Sequence, residues 1–176
     1  MKRPRSDEHA DYYSMYIDRV PHDRPLVDVL REAPATLEAL LSSLPTEREH
    51  FAYETGKWTL REVLGHVIDA ERLFSYRVLH LARGDTAELP GMDQDEWAAA
   101  SNSGERSVAD LLDEFRGLRA ANAALFASFD EETLSRRGTA SGFEFTVRAL
   151  IHIIAGHELH HRDVLRERYV GTPDAT

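Results

Sequence analysis

Four stretches of this chain repeat apolar residues with the period of an α-helix, and that repetition constrains the fold more than any other feature. Between Pro25 and Leu44 the apolar positions are Leu26, Val29, Leu30, Ala33, Leu37, Leu40, Leu41 and Leu44, a stripe interrupted by Pro34. It predicts one kinked helix, or a short helix followed by a longer one. Thr59 with Glu62 three residues on has the spacing of a capping box, so a second helix is expected from about Leu60 to Ala82, with Gly84 ending it. Ser107 and Asp110 open a third helix, in which Leu111, Leu112, Phe115, Leu118, Ala121, Leu125 and Phe129 keep the period. Thr146 caps the last, which is expected to run to about Tyr169.

The connections fit the same picture. Residues 1–24 carry Pro4, Pro21 and several tyrosines without helical periodicity, and are expected to form an extended N-terminal arm packing over the domain. The bundle domain itself is placed at 25–170, with 171–176 as a C-terminal tail. Pro90-Gly91 lies in a long loop between the second and third helices, which leads into a short helical piece around Asp93 to Ala100. Residues 135–146, around Gly138 and Gly142, read as a loop or short hairpin. With no convincing strand run between the helices, the fold class is all-α, a four-helix bundle rather than an α/β fold.

Composition narrows the functions. A chain of 176 residues with 42% hydrophobic content can bury a single core without cross-links. The formal net charge of -10 opposes binding to phosphate backbones, so nucleic acid is not an expected partner. The chain has no cysteine, which excludes disulfides, thiolate metal sites, iron–sulfur clusters and a cysteine nucleophile. Any metal must sit on His, Asp or Glu. No stretch approaches the roughly 18 apolar residues of a membrane span. The basic start, Met1-Lys2-Arg3-Pro4-Arg5, is not followed by the apolar run of a signal peptide. A cytoplasmic protein without membrane contact is expected.

In the last helix, His157 and His161 lie one turn apart, about 40° around the axis, on the stripe of Leu150, Ile153, Ile154 and Val164. In the second, His66 shares its face with Val63, Ala70 and Leu73. Histidine on a core stripe needs a polar partner, and three inward imidazoles on two stripes are hard to satisfy by hydrogen bonds alone. Neutral imidazoles suit Zn, Ni, Fe(II) or Cu, and three protein ligands with one open position describe a catalytic metal site. His152 falls on the opposite side of its helix and His160 on the shoulder; these two, with His9, His22, His50 and His80, are read as solvent or loop residues. His157-Glu158-Leu159-His160-His161 also satisfies the His-Glu-x-x-His pattern of zinc proteases. Those families usually take a third ligand downstream, where the extended pattern would need Gly at Val164 and His at Glu167. Glu158 then reads as a solvated residue near the bundle edge.

The run from Gly56-Lys57-Trp58-Thr59-Leu60 through Gly65-His66-Val67-Ile68-Asp69-Ala70-Glu71-Arg72 resembles the DinB and YfiT-like family of metal-dependent enzymes. So do Ala82-Arg83-Gly84-Asp85, Leu89-Pro90-Gly91-Met92-Asp93-Gln94-Asp95 and Ile153-Ile154-Ala155-Gly156-His157-Glu158-Leu159-His160-His161. The resemblance spans most of residues 30 to 170. It implies an unusual four-helix bundle, frequent homodimers, and a metal held by one His of the second helix and a His-x-x-x-His pair of the last. Carried over, those ligands are His66, His157 and His161. It also implies thiol-transferase chemistry of the kind that uses bacillithiol or mycothiol, or hydrolysis.

The expected cofactor is one divalent ion, Zn or Ni first and Fe or Mn next, with a low-molecular-weight thiol as cosubstrate and a small molecule as substrate. An open metal position can activate either a thiol or a water. The first expectation is therefore a thiol transferase; the runner-up is a metal-dependent hydrolase of a small ester or amide. A binding module without catalysis, such as a metal or small-molecule sensor, is the alternative of a different class. Asp69 and Glu62, each about one turn from His66, are candidates for acid–base work or for orienting an imidazole. Glu158 joins them through its motif, and Arg77 is a candidate for an anionic substrate. All are equally placed for surface ion pairs. Asp93 and Asp95 could line the mouth of the site or cap the short helix.

Overall fold

The computed structural model describes residues 1–171. The expected C-terminal tail lies, apart from Gly171, outside the described residues. Four long helices carry the fold: α1 (Leu26–Leu41), α2 (Leu60–Ala82), α3 (Val108–Ala127) and α4 (Val147–Val164). Each begins where the sequence provides a start. Pro25 fixes the backbone ahead of α1, and Pro34 is accommodated inside one continuous helix. Thr59 and Glu62 form a reciprocal capping box at α2, and the hydroxyls of Ser107 and Thr146 cap α3 and α4. A π-type turn over Leu165–Val170 prolongs α4.

Each helix packs on two neighbours: α1 and α2 both contact α3 and α4. The order around the bundle is therefore α1–α3–α2–α4, with α1 and α2 on a diagonal. Hydrogen bonds fix the directions. Tyr169 Oη, beyond the end of α4, donates to Trp58 O at the start of α2 (2.6 Å), so these two helices run antiparallel. One oxygen of Glu49, Oε2, accepts from Arg61 Nε (2.9 Å) and from Val108 N (3.2 Å), which places the starts of α2 and α3 side by side. Parallel neighbours need a connection that travels back along the bundle. That return is the long loop of residues 83–107, which holds the short helix Gln94–Ala100.

Between α3 and α4 lies the hairpin of β1 (Arg137–Ala140) and β2 (Phe143–Thr146), which pairs Arg137 with Thr146 and Ala140 with Phe143. The long loop joins its edge, with Leu89 N donating to Thr139 O and Ser141 N to Leu89 O. The N-terminal arm packs over the domain as a series of short helical turns, and Tyr16, Ile17 and Val20 are buried against α4. No helix among the described residues is long and apolar enough to cross a membrane.

The core is divided in two. One cluster joins Leu26, Leu30, Phe74, Val78, Phe126, Leu150 and Ile154; the other joins Leu37, Leu41, Leu64, Val67, Leu111, Phe115 and Leu165. At the seam, α2 places His66 and Glu71, α3 places Arg119 and Asn122, and α4 places His157 and Glu158, all buried. Arg119 Nε donates to both oxygens of Glu71 (2.9 Å each), and Asn122 Nδ2 donates to Oε1 at 3.0 Å. The Arg119 guanidinium also lies over the Phe115 ring at 4.9 Å. Such a pair repays its desolvation only while both charges and the added hydrogen bonds are present. Glu71→Gln, which leaves Arg119 buried without a counter-charge, should destabilise the protein by about 3 kcal/mol. Urea unfolding should show a lowered midpoint at unchanged slope; a midpoint equal to wild type would contradict this account.

Candidate metal centre

At the seam, α2 presents His66 and α4 presents His157 and His161. The phase of each helix turns these side chains inward, and antiparallel packing brings the first half of α2 against the second half of α4. His66 and His157 are 6% and 7% exposed and His161 is half-buried. One ligand atom from each lies within 4.8 Å of the others. His66 Nε2 and His157 Nε2 are 3.2 Å apart. Nitrogens bound at about 2.0–2.1 Å around a tetrahedral ion would lie roughly 3.3 Å from one another, which the His66–His157 spacing matches, and His161 joins them within 4.8 Å.

A glycine immediately precedes His66 in α2 and His157 in α4, where another segment comes close. A Cβ on Gly156 would lie 1.9 Å from Tyr16 O of the arm, and one on Gly65 would lie 1.9 Å from Ser103 Oγ of the long loop. The arm thereby sets the Tyr16 ring 5.3 Å from that of His157. On the other side Trp58, held through its carbonyl by Tyr169, lies 4.8 Å from the His66 ring. Packing from both flanks limits how the imidazoles can turn.

The surroundings keep all three imidazoles neutral, the form that ligates a metal. Burial pushes His66 down to about 4 and His161 to about 3, and drives His157 well below its ordinary value. Among these, Asp95 acts on His66 in the opposite sense.

The acidic and basic candidates are dispersed. Glu62 Oε2 accepts from Thr59 N (2.7 Å) and Thr59 Oγ1 (2.9 Å), so its carboxylate is engaged in the cap. Asp69 is half-buried and lines a separate cleft with Gly65, Ser103, Arg106 and Glu114; burial raises its pKa. Arg77 is buried and donates to Pro90 O and Ser141 Oγ, both at 2.8 Å, tying the long loop to the hairpin. Asp93 caps the short helix through Asp95 N and Glu96 N.

Three sequence expectations are corrected, the first being Arg77, which is not a helix-edge charge in a surface ion pair but 2% exposed and bonded to the loop and the hairpin. Glu158 is not a solvated edge residue but 1% exposed, because α4 is enclosed on nearly every side; Arg162 Nη1 stands 3.7 Å away, and burial raises its pKa. His152 is not at the surface either. It is buried under the arm, donates from Nδ1 to Arg148 O (2.8 Å), and is pushed down to about 4 by burial. The sequence motifs do not single out the seam residues Glu71, Arg119 and Asn122. Their signal was present, since all three stand at stripe positions of their helices where an apolar residue is expected.

A cleft of about 460 Å³ adjoins the histidines, lined by Tyr53, Lys57, Trp58, Asp95, His161 and Tyr169 among others. Of the three histidines, His161 is the one that lines it.

Known proteins are similar to this chain in sequence and in fold. A family model described as the DinB superfamily matches residues 30–165. A protein of Geobacillus kaustophilus (strain HTA426) named "Putative metal-dependent hydrolase" is 26% identical over 137 residues, 77% of each chain. One of the same description from Geobacillus thermodenitrificans (strain NG80-2) is 24% identical over 137 residues, again 77% of each. Among solved structures, YfiT from Bacillus subtilis, described as a probable metal-dependent hydrolase with an unusual four-helix bundle topology, superposes with a TM-score of 0.72. It is 20% identical, and the match covers 94% of this chain and 90% of that one.

Two outcomes are expected. In the metal-free protein the unfolded chain takes up protons below the ordinary histidine value of 6.5, while His66 and His152 stay neutral in the fold down to about 4. Their burial is therefore fully tolerated above about pH 7, and stability is lost as the pH falls from there toward 4. Urea midpoints should drop between pH 7 and pH 5, and the drop should be smaller in His66→Gln. Separately, Gly156→Ala should displace the arm, so that amides of residues 12–20 exchange faster while helix content is unchanged.

Proposed function

The chain belongs to the DinB superfamily, and we propose that it is a metal-dependent enzyme whose His66, His157 and His161 hold one divalent transition-metal ion. The observation that carries this reading is the convergence of three neutral imidazole nitrogens, within 4.8 Å, beside a cleft large enough for a small molecule. The names of the two Geobacillus relatives support metal dependence. Three histidine ligands leave a coordination position for a substrate group. Zn and Ni are the first candidates by donor type, with Fe and Mn next.

When bound, such an ion supplies a Lewis acid that lowers the pKa of a thiol or water entering the open position. The protein's own residues orient and enclose. Trp58 and Tyr16 brace His66 and His157 from opposite flanks, and the low pKa values keep the nitrogens free of protons. The cleft aromatics exclude bulk water from one wall.

Of the two nucleophiles, a small thiol fits the arrangement better. Glu158, the carboxylate that the His-Glu-x-x-His pattern would supply as general base, is enclosed in the seam with Arg162 as its ion-pair neighbour. A thiol coordinated to a metal loses its proton without a protein base, whereas activation of water gains from one. The reading is thus transfer of a low-molecular-weight thiol to an electrophile. Hydrolysis of a small ester or amide is the second reading, and the relatives' names favour it.

Elemental mass spectrometry of untagged protein purified without chelator should find about one equivalent of transition metal, absent from His157→Ala. The loaded protein should then consume a chromogenic haloarene only when a small thiol is supplied. Turnover of a nitrophenyl ester without any thiol would shift the assignment to hydrolysis, and failure to take up Zn or Ni would remove the enzyme reading.

A further inference from the structure

The cleft beside the histidines carries two opposite charges that the fold does not use. Lys57 and Asp95 both line it and both are exposed, and neither has an ion-pair partner among the described residues. Nearby charges are engaged: Glu62 in the cap of α2, Arg61 with Glu49. Lys57 sits on the turn before Trp58, with its N–H bonded to Glu54 O. Asp95 lies in the first turn of the short helix, lines the cleft, and is close enough that its charge acts on His66.

The same cleft is lined by the aromatic residues Tyr53, Trp58 and Tyr169. The Tyr53 and Tyr169 rings meet edge to face at 5.5 Å, and Tyr169 Oη holds the Trp58 carbonyl. His161 is part of the lining as well. A volume of about 460 Å³ falls in the range of small-ligand sites and takes a compound of roughly dipeptide size.

We propose that this cleft selects a small zwitterion, an amino-acid or dipeptide-like compound whose carboxylate pairs with Lys57 and whose ammonium pairs with Asp95. Its reactive group is thereby directed to the three histidines. The assignment rests on the metal-centre reading, and it adds the substrate's charge pattern. Complementary fixed charges at a cleft mouth discriminate between ligands of equal size, because a blocked charge on the ligand leaves its partner unpaired in the bound state.

The test uses the full chain loaded with cobalt(II) and four thiol probes: cysteinylglycine, its N-acetyl form, its C-terminal amide, and the form with both ends blocked. Calorimetry gives each affinity, and the thiolate-to-cobalt absorption band reports whether sulfur reaches the metal. Cysteinylglycine should bind about tenfold more tightly than either singly blocked probe, the scale of one hydrogen bond to a charged group. Lys57→Gln should remove only the advantage given by the free carboxylate, and Asp95→Asn only that given by the free amine. Equal affinity for all four probes, no measurable binding of any, or a preference that survives both substitutions would overturn the proposal while cobalt uptake left the metal centre standing. Absence of cobalt uptake would overturn the metal-centre reading and the zwitterion assignment with it.

Discussion

Everything in this structure depends on one helix being enclosed. Every residue of α4 from Val147 to Glu158 is buried, including Arg148, His152, His157 and Glu158. A helix exposed on one side can hold its polar residues in water; this one must satisfy them inside. Arg148 reaches Glu8 of the arm and Ser135, His152 donates to a backbone carbonyl, and His157 faces His66. The arm and the hairpin are the covers that complete this enclosure, and α1 and α2 supply the rest.

The enclosure also explains why the polar residues gather in one layer. The apolar clusters at the two ends of the bundle meet where α2, α3 and α4 each contribute polar side chains. Glu71 accepts from Arg119 and Asn122 there, while the three imidazoles next to them present nitrogens to a common point. An ion pair and the hydrogen bonds to Glu71 hold the first group together. The second group is three imidazoles whose nitrogens lie within 4.8 Å of one another, lone-pair donors of the kind a transition-metal ion takes. The two glycines that precede His66 and His157 let Ser103 and the arm approach closely, so the position of each histidine is fixed from outside its own helix.

Much of the fold was legible because helical periodicity is local. Thr59 with Glu62, Ser107 and Thr146 announced the helix starts, and each caps in the structure as its spacing implied. The three histidines were legible as an inward set, since phase around a helix follows from residue number alone. Their meeting at one point was not, because it depends on α2 and α4 being antiparallel neighbours. Glu158 and His152 were misread for a related reason. A stripe pattern divides a helix into an inner and an outer face, and it fails where the outer face is covered by a segment distant in sequence.

The sequence by itself determined the number of long helices, where they begin, the exclusion of cysteine chemistry, and which histidines face inward. These follow from backbone propensity, capping and the 3.6-residue period, which act over a few residues. Tertiary structure alone decided the order of helices around the bundle, the burial of Glu158 and His152, the pairing of Glu71 with Arg119, and the cleft that joins Lys57 and Asp95 to His161. Those depend on contacts between residues far apart in the chain, whose free energy comes from burial and pairing in three dimensions and leaves no periodic trace in the one-dimensional order.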